Sequence, residues 1–82
     1  MTIFLVEDDL IYAEFIRKAL SQNPKYKIKT FATAEEALSA VNGKLPEVMI
    51  IDYKLPGISG IDLYEKIKSR VKDDNKVIML SA

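Results

Sequence analysis

Two apolar runs of this chain lead into acid. Ile3-Phe4-Leu5-Val6 is followed by Asp8 and Asp9, and Val48-Met49-Ile50-Ile51 runs directly into Asp52. Carboxylates gathered at one place repel one another, so their pKa values rise unless a cation neutralises them. A site made of oxygen ligands suits a hard ion such as Mg²⁺, which is commonly held by one or two carboxylates together with phosphate oxygens. Each acid also has a plainer reading. Asp8 or Asp9 could cap a following helix, and Asp52 could bond nearby backbone at the start of a loop. Three acids converging on one edge favour the site over three separate accidents. Ser81 follows a fourth apolar run, Val77-Ile78-Met79-Leu80, and offers a hydroxyl that could donate to an oxyanion.

Composition narrows the chemistry further. The 82 residues contain neither cysteine nor histidine. That removes disulfides, thiolate chemistry, Cys/His zinc sites and imidazole acid–base catalysis, and with them any Ser–His hydrolase. No glycine-rich phosphate cradle of either common type is present, so nucleotide binding is not expected. Twelve basic residues balance twelve acidic ones, without the basic excess of a nucleic-acid-binding domain. No apolar stretch is long enough for a signal peptide or a membrane span, and a cytoplasmic location is expected.

The elements that must position these residues alternate along the chain. Unbroken β-branched and aliphatic runs read as strands buried on both faces, the habit of a parallel sheet covered by helices. Strands are expected over 2–7, 26–31, 47–52 and 77–80. The first helix is expected over 10–21, with Tyr12, Phe15, Ile16, Ala19 and Leu20 on its inner stripe and Asn23-Pro24 stopping it. Lys25, Lys27 and Lys29 alternate along the second strand, which marks it as a sheet edge. Thr33-Ala34-Glu35-Glu36 spells a capping box for a second helix, with Ala34, Ala37, Leu38 and Val41 inward and Asn42-Gly43 ending it. Ser59, with Asp62 at the N3 position, caps a third helix that faces Leu63, Tyr64, Ile67 and Val71 inward. Short alternating connections imply right-handed crossovers. The flavodoxin-like strand order 2-1-3-4 sets the first and third strands side by side, and ligands of such sheets bind beyond the carboxyl ends of the strands. Strand spacing near 4.8 Å would then bring Asp8, Asp9 and Asp52 within reach of one ion.

Taken together, Phe4-Leu5-Val6-Glu7-Asp8-Asp9, Ile50-Ile51-Asp52, Leu55-Pro56-Gly57 with Gly60 three residues on, and Met79-Leu80-Ser81-Ala82 resemble the receiver domain of two-component response regulators. The motifs fall in order, at family spacing, over the whole chain. The resemblance implies that Asp52 is the phosphoacceptor, taking a phosphoryl group from a histidine kinase, a phosphotransfer protein or a small phosphodonor. It implies Mg²⁺ bound directly by Asp9 and Asp52, with Asp8 acting through water and the backbone carbonyl of Lys54 completing the protein ligands. Ser81 would be the switch hydroxyl, and the Ala82 backbone N–H would lie beside the phosphoryl group. Such a domain is a phosphoryl acceptor rather than an enzyme, with self-catalysed transfer and slow autodephosphorylation at most. An aspartate-nucleophile phosphatase would carry a second aspartate two residues after Asp52, where this chain has Lys54.

A receiver of this family has five strands, and the sequence supplies four. The expectation is therefore a single partial domain over 1–82, truncated after the fourth strand and lacking the fourth helix, the fifth strand and the fifth helix. The lysine that ends the fifth strand would be lost with them. The fourth run is apolar throughout, the pattern of an interior strand, and as a margin it would be a bare hydrophobic edge. A twofold dimer pairing two fourth strands is the simplest cover. The alternative function is accordingly a phosphorylation-incompetent fragment acting as a dimerising or interaction module.

Overall fold

The computed structural model describes residues 1–41 and 44–80. The chain runs through β1 (Thr2–Val6), α1 (Leu10–Leu20), β2 (Lys27–Phe31), α2 (Ala34–Ala40), β3 (Val48–Asp52), α3 (Gly60–Ile67), a 3₁₀ turn (Lys68–Arg70) and β4 (Lys76–Leu80). The four strands form one sheet in the order β2-β1-β3-β4, and every pairing is parallel. This is the flavodoxin-like arrangement expected from the alternation of strands and helices. The expected end of α2 at Asn42-Gly43 lies outside the described residues.

Two apolar layers hold the sheet. Phe4, Val6, Met49 and Ile51 pack on one face with Ala34, Ala37 and Val41 around α2 and with Leu63 and Ile67 of α3. Ile3, Leu5 and Ile50 pack on the other face with Ala13 of α1. The two-residue period of a strand explains the division: odd positions of β1 serve one layer and even positions the other. Leu5, Val6, Ile51, Leu63 and Ile67 are wholly buried. The central strands are thus covered on both sides, as their unbroken apolar sequences require.

The inner stripe of α1 differs from expectation. Ala13 is buried and Ile16 and Leu20 pack at its margin, whereas Phe15 is 70% exposed and Tyr12 is 45% exposed. The reason is the narrowness of the contact. α1 packs mainly on β1 and β2, so a stripe at i, i+3 and i+7 suffices and the bulkier aromatic residues face outward.

Each helix starts at a polar side chain that accepts from its first free amides. Thr33 Oγ1 accepts from the Glu36 N–H at 3.1 Å. Ser59 Oγ accepts from the Asp62 N–H at 3.1 Å, and Asp62 accepts in return from the Ser59 N–H at 3.4 Å. The first helix is capped by Asp9, whose Oδ1 accepts from the N–H groups of Ile11 and Tyr12, each at 3.1 Å.

Candidate functional site

The carboxyl ends of β1 and β3 lie side by side, with Val6 paired to Ile51. Glu7 continues the pairing of β1 beyond its last assigned residue, since its N–H donates to the Phe31 carbonyl of β2 at 2.9 Å. It therefore keeps the strand's alternation and points to the same face as Ile3 and Leu5. Asp52, the last residue of β3, keeps that of Val48 and Ile50. The two carboxyl groups consequently meet on one face, and Asp8 reaches the same place from the turn after β1. Ligand oxygens of Glu7, Asp8 and Asp52 lie within 4.8 Å of one another.

This trio differs from the one expected. Asp9 is placed at the N-terminus of α1, where one carboxylate oxygen holds two helix amides, and it is not part of the cluster. Glu7, which the sequence pattern gives no role, takes its place. The signal was present in the strand period: an acid in phase with Ile3 and Leu5 falls on an inner face. The apolar run itself does not mark it, because Glu7 is polar and ends the run while still in the ladder. Asp8 and Asp52 are brought together as expected.

Burial makes the cluster electrostatically demanding. Glu7 is only 5% exposed, and its Oε2 has no hydrogen-bond partner. Its pKa is pushed up to about 8, first by burial, then by a side-chain hydrogen bond to Asp52 and by the negative charges of Asp52, Asp8 and Asp9. A hydrogen bond between two carboxyl groups needs a proton, so the raised pKa and the contact have one cause. Neither of the two ion pairs among the described residues, Arg17–Glu14 and Lys68–Glu65, reaches the cluster. A buried oxygen without a partner, in a set of hard oxygen donors of excess negative charge, fits a small divalent cation.

The loop after β3 is held to the site by its backbone. Asp52 Oδ1 accepts from the Lys54 N–H at 3.2 Å. The Tyr53 N–H donates to the Leu80 carbonyl of β4 at 2.8 Å, and the Gly60 N–H donates to the Tyr53 carbonyl at 3.3 Å. Gly57 turns the chain with φ of 72°, a conformation that favours glycine. Gly60 is required for another reason: a Cβ there would lie 2.2 Å from the Asp52 carbonyl oxygen. The N-terminus of α3 thus presses directly on the backbone that carries Asp52. Tyr53 is 47% exposed and Lys54 is exposed. Ser81 and Ala82, expected at this edge, lie outside the described residues.

Comparison with known proteins agrees with this fold. Residues 3–82 match the family model described as the response regulator receiver domain. The chain is 31% identical over 81 residues to the phosphate regulon transcriptional regulatory protein PhoB of Rhizobium meliloti, covering 98% of this chain and 35% of that protein. Among solved structures, response regulator TrrA of Thermotoga maritima in complex with Mg²⁺ and BeF superposes with a TM-score of 0.85 at 32% identity, over 99% of this chain and 69% of that one. TrrA in complex with the histidine kinase ThkA gives a TM-score of 0.83 at 32% identity, over 99% of this chain and 68% of that one. The chain therefore spans about a third of that curated relative and about two-thirds of the solved receiver chains.

Proposed function

The chain belongs to the response regulator receiver domain family, and from that membership we propose that it is a phosphoryl-accepting signalling domain with Asp52 as acceptor and Mg²⁺ as cofactor. The observation that carries this reading is the convergence of Glu7, Asp8 and Asp52 at the carboxyl edge of the sheet. These three would hold the ion, with the Lys54 carbonyl on the adjoining loop as a further oxygen donor. When bound, Mg²⁺ neutralises charge on the carboxylates and on an incoming phosphoryl group, so that anion and anion can approach.

The chain's own residues supply position. Phosphoryl transfer asks for an in-line nucleophile and charge neutralisation more than for covalent machinery. An Asp52 carboxylate oxygen forms the new bond to phosphorus as the bond to the donor breaks, and the leaving nitrogen or oxygen departs with the electron pair. Asp52 is suited to this because its backbone is fixed by β3 and by the α3 N-terminus, and Oδ1 is oriented by the Lys54 N–H. Asp9 serves by setting the start of α1 and the turn that carries Asp8. Ser81 and Ala82 complete the reading as the switch hydroxyl and a backbone N–H donor. A histidine kinase or a phosphotransfer protein is the proposed source of the phosphoryl group, by analogy with the ThkA–TrrA complex.

Incubation with Mg²⁺ and acetyl phosphate followed by intact-mass measurement tests the proposal. A single phosphoryl adduct, absent from Asp52→Asn and from protein treated with a chelator, is expected. No adduct at any time or donor concentration would overturn it for this 82-residue chain.

A further inference from the structure

The carboxyl edge of the sheet gathers acids, and the opposite edge gathers cations. Two connections meet beyond the amino end of β3. One is the stretch from α2 into β3, which carries Lys44 and Leu45. The other comprises the 3₁₀ turn and the segment leading into β4, which carry Ser69, Arg70 and Lys72. A cleft of about 560 Å³ lies between them and is lined by both, a size in the ordinary range for small-molecule sites.

The two walls are tied together. Asn75 Oδ1 accepts from the Lys72 N–H, and Asn75 Nδ2 donates to the Pro46 carbonyl, each at 3.0 Å. The Asn75 N–H donates to the Lys72 carbonyl at 3.0 Å, and the Lys76 N–H donates to the Glu47 carbonyl at 2.8 Å. One half-buried side chain thus closes the turn before β4 and clasps it to the facing connection. Leu45 lines the cleft from within the core cluster and is only 6% exposed. Backbone bonds and core packing, not long side chains, set the separation of the walls.

Charge in the cleft is one-sided. Lys44 stands on one wall and Arg70 and Lys72 on the other, and all three are exposed. Asp74 is the one acid of the lining, so three cations against it leave an excess of two positive charges. Both ion pairs among the described residues lie elsewhere, and Asp74 pairs with none of these cations. Nearby Glu47 is engaged, since its carboxylate accepts from the Thr2 N–H at 3.0 Å. A second cleft of about 300 Å³ shares Lys44 and Leu45 with the first and adds Lys29. In a chain whose charges cancel overall, this excess at one edge creates a local field that draws anions.

The types of donor decide which anion fits. A guanidinium fork matches two oxygens of one phosphoryl group, whereas an ammonium acts as a point charge. The Ser69 hydroxyl adds a neutral donor. An anion charged at a single point satisfies one wall and leaves the other, but a row of phosphoryl groups reaches both. Leu45 is the one apolar residue of the lining, which leaves little to grip an acyl chain or an aromatic ring. No glycine-rich cradle is needed, because side chains supply the donors.

We propose that this cleft binds a compact anion bearing a chain of two or more phosphoryl groups, with Arg70 and Lys72 holding one end and Lys44 the other. The site lies at the amino end of β3, and roughly 13 Å of strand separate it from Asp52. It does not depend on phosphoryl transfer, and its test uses neither a phosphodonor nor Mg²⁺.

Calorimetric titration of the 82-residue chain with inorganic triphosphate, in buffer free of divalent cations, tests the site. One-to-one binding that weakens with added salt is expected, with orthophosphate at least about tenfold weaker. Pyrophosphate and a nucleoside diphosphate distinguish the two sources of such a chain. Equal affinities assign the site to the phosphate chain alone, tighter binding of the nucleotide assigns it to a nucleotide tail, and either upholds it. Arg70→Ala and Lys72→Ala should each weaken triphosphate binding about three- to tenfold, the scale of charged contacts at exposed positions. Arg70→Lys should recover only part of the loss, because it restores charge without the fork. Lys18→Ala removes an exposed cation from α1 and should leave binding unchanged. Absence of triphosphate binding at millimolar concentration overturns the proposal. So does a loss in Lys18→Ala equal to that in Arg70→Ala, which would show diffuse charge and no site.

Discussion

Glu7 and Asp52 approach across the β1–β3 pair, with carboxyl oxygens within 4.8 Å of one another and the Glu7 side chain buried. The contact follows from the sheet. Both residues continue the inner-face alternation of neighbouring parallel strands, and nothing apolar separates them at the carboxyl edge. Burial and the neighbouring carboxylates raise the Glu7 pKa, which makes folding sensitive to pH at this pair.

The Glu7 carboxyl has its pKa raised from 4.5 to about 8 in the folded chain. Between these values the folded state binds a proton that the unfolded state has released, so stability falls as pH rises. The contribution is fully present below about 4.5 and lost by about 8, with a slope of at most about 1.4 kcal/mol per pH unit. Urea unfolding without divalent cation should show a falling midpoint across this window. Glu7→Gln should flatten it and leave the low-pH midpoint nearly unchanged. Added Mg²⁺ should flatten it as well, because an ion binding only the folded state raises stability most where the site is ionised.

Asp8 and Asp9 are adjacent in sequence and separable in role. Asp9→Ala removes the cap of α1 and should cost about 1 kcal/mol in a range of roughly 0.5–2. Its Mg²⁺ affinity should stay within a few-fold of the parent. Asp8→Ala should reverse the pattern, with little loss of apo stability and loss of the Mg²⁺-induced rise in Tm. That rise corresponds to about 2.7 kcal/mol at an Mg²⁺ concentration one hundred times Kd. Thermal melts of the two variants with and without Mg²⁺ distinguish them.

Gly60→Ala introduces a methyl group 2.2 Å from the Asp52 carbonyl oxygen. Backbone must move to admit it, so a loss of about 1–3 kcal/mol is expected from overpacking. Mg²⁺ affinity should fall in parallel, because the displaced segment carries Asp52. A variant of parental stability and affinity would show that α3 does not hold the site.

Leu63 and Phe15 were both expected inside. Leu63 is wholly buried and Phe15 is 70% exposed. Leu63→Ala should cost about 2–5 kcal/mol through lost burial and the cavity left behind. Phe15→Ser should change stability by no more than about 0.5 kcal/mol, as for other exposed positions. Denaturant midpoints of the two variants check the packing of α1 directly.

The sequence by itself determined the alternation of strands and helices, the order of the sheet and the edge on which acids gather. Apolar runs such as Val48–Ile51 have only one comfortable environment, and short alternating connections permit few topologies. It also marked the helix starts, because Thr33 and Ser59 are local signals read within three residues. Which acids form the cluster was decided by tertiary structure. Asp8 and Asp9 are equivalent as letters, and Glu7 looks like the mere end of a strand. Only when β2 and β3 flank β1 does the ladder extend to Glu7 and turn its carboxyl against Asp52, while α1 takes Asp9 as its cap. The face that α1 buries was settled in the same way. Periodicity offered an apolar stripe wider than the contact with the sheet, which selected Ala13, Ile16 and Leu20 and left Phe15 exposed.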